Sequence, residues 1–380
     1  DSHGSDSHGS DSHGSDSHGS DSHVMSHDEH VFHQLANRPW AALYVAAFFF
    51  FMISLGTLAF YAIQRASQAG WSPVLFRVME GITGYLLPGG LLVLAILVLS
   101  VMHFNHLFIW MDAEVVEHDK IIKAKSGYLD PYFFLLRGFI YLIGWYLYRF
   151  FSRKFSIAQD NSNDNKSHIK NFKLSAGFLV FFLITESMMS WDWIMSIDPH
   201  WFSTLFGWYV FASMMVSGVT TIALISIYLK SKGYLPNVND NHIHDLGKFM
   251  FGFSVFWTYL WFSQFMLIWY SNIPEEVVYF ISRIEDYTIP FWGMVVINFI
   301  LPFLILVSSN FKRVNSIIVT AGIIILTGHY IDVYNMIMPS AVGDQWGFGI
   351  PELSSLMFFG GIFIYIVFLT LTKAPLETKG

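Results

Sequence analysis

Nine separate stretches of the chain are each long and apolar enough to cross a lipid bilayer. A membrane-spanning helix needs about 20 predominantly apolar residues. The runs that meet this requirement are 40–63, 85–110, 131–151, 174–195, 202–229, 246–270, 289–309, 316–338 and 350–372. Backbone amides inside hydrocarbon must bond within their own segment, so these runs are predicted to be α-helices. The sequence therefore predicts an all-α integral membrane protein with nine visible spans.

Composition excludes several classes of protein. Charged residues make up only 13% of the chain, about half the usual share of a soluble domain, so a stand-alone soluble enzyme is excluded. The chain contains no Cys, which rules out disulfides, Fe–S clusters, thiolate zinc sites and covalent c-type haem in this chain. The formal net charge is −7, and no basic patch of the kind that holds nucleic acid is present.

The two ends of the chain differ in composition from the apolar middle. Residues 1–23 repeat DSHGS four times and end in DSH, so residues 1–33 are predicted to be a disordered His/Ser/Gly-rich segment. Adventitious zinc or copper binding by the spaced imidazoles is the weaker alternative. Residues 34–375 are the predicted transmembrane domain, and 376–380 are a short tail. Because the chain begins at Asp1 and not at Met, either a signal sequence was removed or a first helix lies upstream; we favour the upstream helix, which would make ten.

Basic residues indicate the orientation. The loops after the first, third, fifth and seventh runs, together with the C-terminus, contain 15 of the 21 Lys and Arg, and the opposite loops contain five. Because Lys and Arg concentrate on the cytoplasmic side, the C-terminus is predicted to be cytoplasmic and the His-rich segment to face outside. The stretch 71–84 is predicted to be an amphipathic segment lying at the membrane interface.

Three ionisable residues fall inside neighbouring spans and are the first candidates for proton transfer. Glu186 lies near the middle of the fourth run, where a buried carboxyl can load and release a proton. Asp192 is six residues further on, which places it on a different helix face. Arg137 in the third run needs an acidic or carbonyl partner, and Glu186 and Asp192 are the nearest acids along the chain. A structural hydrogen bond or ion pair is the alternative role for each.

A second set of polar residues involves histidines. His329 and Asp332 stand at i, i+3 and share a helix face, where they can relay protons or donate a hydrogen bond to a quinone carbonyl. His103 and His106 are predicted to share a face near the outer end of the second run. Asn298 marks the middle of the seventh run. Packed polar contacts between helices are the alternative for all of them, and a bis-His haem is a weaker one.

The predicted orientation places the titratable residues in the middle and outer half of the membrane. The inner half has scattered hydroxyls instead: Ser54, Thr57, Ser213, Ser217, Thr220 and Thr221. Two half-channels that meet near Glu186 would explain this distribution. Ser and Thr are also common small residues between membrane helices, so the inner half-channel is the less supported of the two.

Several segments resemble one family of respiratory membrane proteins. The segments are TESMMSWDWIMSIDPHWFSTLFGWYVFAS (185–213), FWTYLWFSQFMLIWYSNIPEE (256–276), HYIDVYNMIMP (329–339) and a His-rich stretch just before NRPWAALYVAAFFFF. They are similar to the ActF-type subunit of bacterial alternative complex III, a member of the NrfD/PsrC-like membrane subunits. The resemblance extends over almost all of residues 30–375.

The resemblance implies a fold of two four-helix bundles plus extra helices and a role in quinol oxidation. Complexes of this kind oxidise menaquinol and pass electrons to cytochrome c or to a partnered terminal oxidase. Fe–S clusters and the haems of multihaem and monohaem cytochromes c lie in other subunits, and a related NrfD-like subunit forms the quinol pocket. The ActF-type subunit carries no redox cofactor and is expected to hold a proton path or to act as a scaffold in the bacterial inner membrane.

Two other functions remain open at this point. A quinol-binding redox subunit would place His329 and Asp332, or His103 and His106, in a pocket that opens to lipid. A secondary transporter would need inverted repeats and helices broken at the membrane midplane. Pro88 with Gly89 and Gly90, and Pro302, are the clear helix breakers, and the sequence contains no convincing internal repeat.

Overall fold

The computed structural model describes residues 27–162 and 164–376, with side chains from Gln34 onward. These residues form helices and connecting loops and contain no β-strand, which confirms the predicted all-α class. Residues 1–26 of the predicted disordered segment, and 377–380 of the predicted tail, lie outside the described residues. The first helix begins at His27, within the segment predicted to be disordered.

Fourteen α-helices follow one another in the described residues. They are α1 (His27–Ala66), α2 (Phe76–Ile82), α3 (Leu86–Val101), α4 (Ala113–His118), α5 (Lys120–Ala124), α6 (Pro131–Asp160), α7 (Lys166–Trp193), α8 (Phe206–Ser231), α9 (Asp240–Ser271), α10 (Pro274–Glu285), α11 (Thr288–Val295), α12 (Leu301–Leu306), α13 (Asn315–Val342) and α14 (Ile350–Leu371). A π-helical segment, Val296–Ile300, joins α11 to α12 without a break.

Eight helical segments of the described chain are long and apolar enough to cross a membrane. They are Gln34–Ala66, Pro73–Val101, Lys166–Ile197, Phe206–Ser231, Asp240–Ser271, Thr288–Leu306, Asn315–Val342 and Ile350–Leu371. Each corresponds to one of the nine predicted runs, and together they are the helices of a multi-pass membrane protein. The remaining run forms the 30-residue helix α6, which falls outside the eight because its Tyr and Trp residues and Arg137 lower its mean hydropathy.

Helix α1 lies at the centre of the molecule. It packs against α3, α7, α8, α13 and α14, and 89% of its most apolar window is buried inside the protein. Two glycines allow α1 and α8 to approach closely. A Cβ on Gly56 would lie 2.1 Å from the carbonyl oxygen of Met214, and one on Gly218 would lie 2.7 Å from the backbone nitrogen of Thr57. Small residues of this kind are typical of tight contacts between membrane helices.

The stretch 71–84 is not the interfacial segment that the sequence predicted. Pro73–Leu75, α2 and Thr83–Tyr85 lead directly into α3, and every residue of α2 is buried. The polar residues of α2 do not need to face water, because Arg77 Nη1 lies 2.6 Å from Glu80 Oε2. An internal ion pair therefore makes an apparently amphipathic helix suitable for burial.

The second apolar run also ends earlier than predicted. Helix α3 ends at Val101, and residues 102–111 form a loop that closes with a short 3-10 turn, Ile109–Met111. His103 adopts a left-handed backbone conformation with φ 60°, which ends the helix. Residues 102–110 are apolar enough to have been included in the predicted run 85–110, but they are not part of α3.

Helices α6 and α7 are antiparallel and are tied together at both ends. At one end, Lys125 Nζ donates to the Pro199 carbonyl at 2.6 Å, and His200 Nε2 lies 2.5 Å from Asp119 Oδ2. At the other end, the Ser152 hydroxyl donates to the Asn171 side chain at 2.6 Å. The contact with His200 lowers the pKa of Asp119, and burial lowers the pKa of Lys125. The first two contacts join the segment before α6 to the segment after α7, and the third joins the two helices themselves. Together they hold α6 antiparallel to α7.

Candidate functional site

A fully buried polar cluster connects α8, α9 and α13 around the carboxylate of Asp332. The Ser213 hydroxyl donates to Oδ2 at 2.8 Å, and the indole Nε1 of Trp257 donates to the same oxygen at 2.9 Å. The Tyr209 hydroxyl donates to Oδ1. His329 Nδ1 lies 3.4 Å from Oδ2, which confirms the predicted shared face. Tyr209 and Ser213 are one helical turn apart on α8 and therefore present both hydroxyls to Asp332.

The two ring nitrogens of His329 have different surroundings. Nδ1 lies 2.9 Å from Ser213 Oγ, whose hydroxyl donates to Asp332. Nε2 is buried and has no hydrogen-bond partner among the described residues. Contacts at Nδ1 hold the ring in place and leave Nε2 as the nitrogen at which a proton could be exchanged in a relay.

Asn298 lies in the π-helical segment and packs directly against the residue that precedes His329. Both its amide nitrogen and its amide oxygen are buried without a hydrogen-bond partner among the described residues. A Cβ added to Gly328 would lie 2.1 Å from Asn298 Oδ1, so only glycine allows the amide to sit there. π-Helical turns inside α-helices are frequent at functional sites, and this one brings a polar side chain toward the His329 region.

We expect Gly328→Ala to disturb this contact without unfolding α13. Alanine is a better helix former than glycine by about 1 kcal/mol, but its methyl group overlaps the Asn298 amide. The variant should therefore be less stable than wild type by about 1–3 kcal/mol, measured as a lower thermal midpoint in detergent. Gly361→Ala in α14, where an added Cβ meets no atom within 4 Å, is the matched control. An equal or higher midpoint for Gly328→Ala would contradict the observed packing.

Arg137 and Asp192 form a bidentate ion pair between α6 and α7. Arg137 Nε and Nη2 donate to the two carboxylate oxygens at 2.8 and 2.9 Å, and the Tyr141 hydroxyl adds a third bond at 2.9 Å. The guanidinium carbon lies 4.1 Å from the centre of the Tyr128 ring. Of the two acids predicted as partners of Arg137, the structure selects Asp192. Three donors at short distance favour a structural role for this pair over proton exchange.

Glu186 is buried in α7 and lacks a strong partner. The residue is 2% exposed. Its Oε1 has no hydrogen-bond partner among the described residues, and its Oε2 has a contact with the Ser187 hydroxyl at 3.5 Å, the limit of a hydrogen bond. An ionised carboxylate without a partner is strongly disfavoured in an apolar interior. We therefore expect Glu186 to hold a proton in this conformation, which is the starting state of a proton carrier.

His103 and His106 do not share a helix face, because both follow the end of α3. They instead line a cavity of about 410 Å³ together with Gln34, Asn37 and Asn105. The Asn37 side chain holds the backbone of His106 through two hydrogen bonds of 3.1 Å. The two histidines are therefore neighbours at one end of the bundle, far along the chain from the Asp332 cluster.

The hydroxyls predicted for the inner half-channel are mostly used by the backbone. Thr57, Ser217 and Thr221 each donate to the carbonyl four residues earlier, at 2.8–2.9 Å. Ser54 donates to the carbonyl of Ile82 at 3.0 Å, and Ser213 belongs to the Asp332 cluster. Thr220 keeps a buried hydroxyl without a partner among the described residues. Hydroxyls held by backbone carbonyls do not form a continuous path.

The structure contains a charged cluster between α1, α2 and α6 that the sequence did not predict. Glu80 accepts from the Tyr61 hydroxyl at 3.1 Å and from Arg77 at 2.6 Å, and Arg77 also pairs with Asp160. Arg65 donates to Tyr61 and to Ser156, at 3.1 and 3.0 Å. The available signal was the spacing of Ser152, Ser156 and Asp160 on α6, since residues four apart share a helix face.

A small cavity next to Tyr209 was also not predicted. Its volume is about 20 Å³, and Tyr209, Gln264, Arg283 and Asn335 line it, which is room for one water molecule. Arg283, in α10 outside the spans, donates to the carbonyls of Asn335 and Tyr279 at 3.1 and 2.8 Å. Burial lowers its pKa, yet guanidinium stays charged at neutral pH. Its Nη2 has no partner among the described residues.

The described residues contain no group of three or more His, Asp and Glu arranged to hold a metal ion. No protein-family model matches the chain, and no curated protein matches it significantly.

Proposed function

We propose that this protein is a membrane subunit of a respiratory quinol-oxidising complex of the alternative complex III type. In this proposal it carries no redox cofactor, acts as a scaffold and conducts protons. The observation that carries the proposal is the position of Glu186. Its carboxyl is buried in a long apolar helix, and no strong hydrogen-bond or ion-pair partner among the described residues accounts for a carboxyl at that position. Ionisable groups in such positions are rare and are usually functional.

The remaining polar groups supply the ends of a proton path in this proposal. On one side, Tyr209 contacts both the small cavity beside Arg283 and the carboxylate of Asp332. On the other side, the cluster around Glu80 lies at the basic end of the bundle. Neither group contacts Glu186 directly, so we infer that water or side-chain movement completes the connection during turnover.

The proposal includes nine spans arranged as in NrfD-like subunits, with two four-helix bundles. Helix α6 supports the ninth span because it runs antiparallel along α7, a candidate membrane span, and is joined to it by Arg137–Asp192 toward one end and Ser152–Asn171 toward the other. A helix of 30 residues is about 45 Å long, sufficient for the bilayer core. The distribution of Lys and Arg supports a cytoplasmic C-terminus and a periplasmic His-rich segment in the bacterial inner membrane.

The proposed partners are the other subunits of such a complex. They comprise a quinol-binding NrfD-like homologue, an Fe–S subunit, multihaem and monohaem cytochromes c, and in some assemblies a terminal oxidase. Electrons would move through the metal centres of those subunits. This chain would provide lateral contacts within the lipid bilayer and a route for protons.

A quinol-binding redox subunit remains the second proposal. The cavity lined by His103 and His106 favours it, since two imidazoles in a 410 Å³ space can donate to a quinone carbonyl. His329 and Asp332 are completely enclosed, so they do not face lipid in this conformation. The secondary transporter is the least supported function, because Thr288–Leu306 continues through its π-helical segment without breaking.

Purification in mild detergent tests the class of the protein. We expect a multihaem cytochrome and an Fe–S protein to co-migrate with this chain, identified by mass spectrometry and by haem and Fe–S absorption. Purification of the chain alone, or with unrelated partners, from membranes that retain such a complex would overturn the proposed assignment.

Glu186→Gln tests the proton-conducting role. We expect the complex to assemble normally while proton transfer coupled to quinol oxidation falls by about 10-fold or more, the lower end of what a positioned acid–base group contributes. Proton movement would be followed with a pH-sensitive dye in vesicles. Glu117→Gln, in the exposed helix α4, is the matched control. Unchanged proton movement in the assembled Glu186→Gln complex would leave only the scaffold role.

A further inference from the structure

A cavity at the basic end of the bundle is lined by basic residues that could bind a phosphate group and by apolar residues beside them. It measures about 530 Å³ and lies where α6 and α14 end and α3 begins. Arg149, Arg153 and Lys373 supply positive charge, and Tyr146 and Thr370 supply further polar groups. Leu87, Pro88, Ile366 and Leu369 form the apolar part. The cavity takes no part in the proton path proposed above.

The charge in this cavity is not neutralised by the protein. Arg149 Nε donates to the Thr83 hydroxyl at 3.3 Å, and Arg153 Nη2 donates to the Thr370 carbonyl at 3.1 Å. Neither guanidinium has a carboxylate within 4.0 Å among the described residues. The nearby acid Glu80 already accepts from Tyr61 on one oxygen and from Arg77 on the other. Each guanidinium has five N–H donors, so most of their hydrogen-bonding capacity is unused.

Two guanidinium groups in a half-buried space require an anion. Both arginines are only partly exposed, which makes uncompensated charge expensive. The planar fork of arginine matches the oxygens of a phosphate group. The apolar wall beside the charges suits an acyl chain, and the cavity lies at the end of the spans where lipid headgroups gather. Basic pockets between membrane helices on the cytoplasmic side bind anionic lipid headgroups.

We propose that this cavity binds an anionic phospholipid, with its phosphate between Arg149 and Arg153 and an acyl chain against Leu87, Pro88 and Ile366. Lys373, at the end of α14, would contact a second anionic group of the headgroup. Phosphatidylglycerol and cardiolipin have the required charge, whereas phosphatidylcholine has no net charge. The bound lipid would join α6 to α14 at an end of the bundle where their basic side chains otherwise repel each other.

Native mass spectrometry of the purified protein with added lipid tests this proposal. We expect phosphatidylglycerol or cardiolipin to be retained at least about 10-fold better than phosphatidylcholine, and to raise the thermal midpoint. Inorganic phosphate at the same concentration should do neither. Equal retention of charged and uncharged lipids would overturn the proposal. Full competition by inorganic phosphate would also overturn it, because the site would then bind free phosphate.

Matched variants locate the site. Arg149→Gln/Arg153→Gln should reduce the preference for anionic lipid by about 10-fold or more. Lys154→Gln/Lys170→Gln removes the same charge from exposed positions at the same end and should leave the preference within about 2-fold of wild type. If the arginine variant does not fold, Lys373→Gln serves instead, because this side chain is exposed; it should weaken the preference by about 3-fold. Equal effects of the cavity and control variants would contradict the assignment.

Discussion

Replacing Asp192 with Asn should destabilise the protein by about 3–5 kcal/mol, the usual result of removing one partner from a buried ion pair. The side chain of Asp192 is completely buried, and that of Arg137 is only 16% exposed. The variant leaves a guanidinium that cannot lose its charge and that has no other carboxylate within ion-pair distance among the described residues. We expect a strongly reduced yield of folded protein and a lower thermal midpoint.

The double variant Arg137→Gln/Asp192→Asn separates two causes of instability: a buried charge left without its partner, and the loss of the contact between the two side chains. Removing both charges should recover part of the stability lost in the single variant, because no uncompensated charge remains. Asp240→Asn is the surface control, since the Asp240 side chain is 70% exposed in its pair with Lys230; this variant should keep nearly the thermal midpoint of wild type. An Asp192→Asn protein as stable as wild type would show that the pair is not structural.

Replacing Asp332 with Leu should have the second large effect. The carboxylate accepts hydrogen bonds from Tyr209, Ser213 and Trp257, and leucine leaves these buried donors without their acceptor. Each unsatisfied buried group costs about 1–3 kcal/mol, so we expect a loss on the order of 3 kcal/mol or more. The thermal midpoint and the fraction of monodisperse protein in detergent measure it.

Asp332→Asn distinguishes a structural from a proton-conducting role. The amide keeps the shape and one acceptor oxygen, so this variant should fold and assemble with a loss of about 1–2 kcal/mol. If Asp332 and His329 relay protons, the assembled Asn variant should still lose proton transfer. A folded Asn variant with normal proton transfer would assign the cluster to helix packing alone.

The sequence was sufficient where a single helix determines the geometry. The i, i+3 spacing of His329 and Asp332 predicted their contact, because both lie on one helix face. Eight of the nine predicted apolar runs correspond to candidate spans, because the length and hydropathy of a span belong to a single helix. The pair of Arg137 and Asp192 was predictable only as one of two choices, since selecting between Asp192 and Glu186 depends on how α7 is rotated against α6.

The features that the sequence did not predict depend mostly on contacts between segments that are distant along the chain. Arg77 pairs with Glu80 and with Asp160 on α6, and these ion pairs neutralise the charges of α2 so that the helix can be buried. A hydropathy profile counts each charged residue as polar and does not include such pairing. The early end of α3 depends on the left-handed turn at His103 and on Asn37 holding the His106 backbone. The closeness of Asn298 to Gly328 depends on the π-helical segment, which carries no reliable sequence signal.

The central position of α1 has a consequence for biosynthesis. This helix emerges from the ribosome before the other described spans, yet six later helices pack against it, and α13 and α14 are among them. The faces of α1 that contact these helices, including the close approach at Gly56, therefore stay uncovered until α14 has been translated. We expect a chain truncated before α13 to expose α1 to quality-control proteases, so that damage late in the gene would be detected through a helix that is made early.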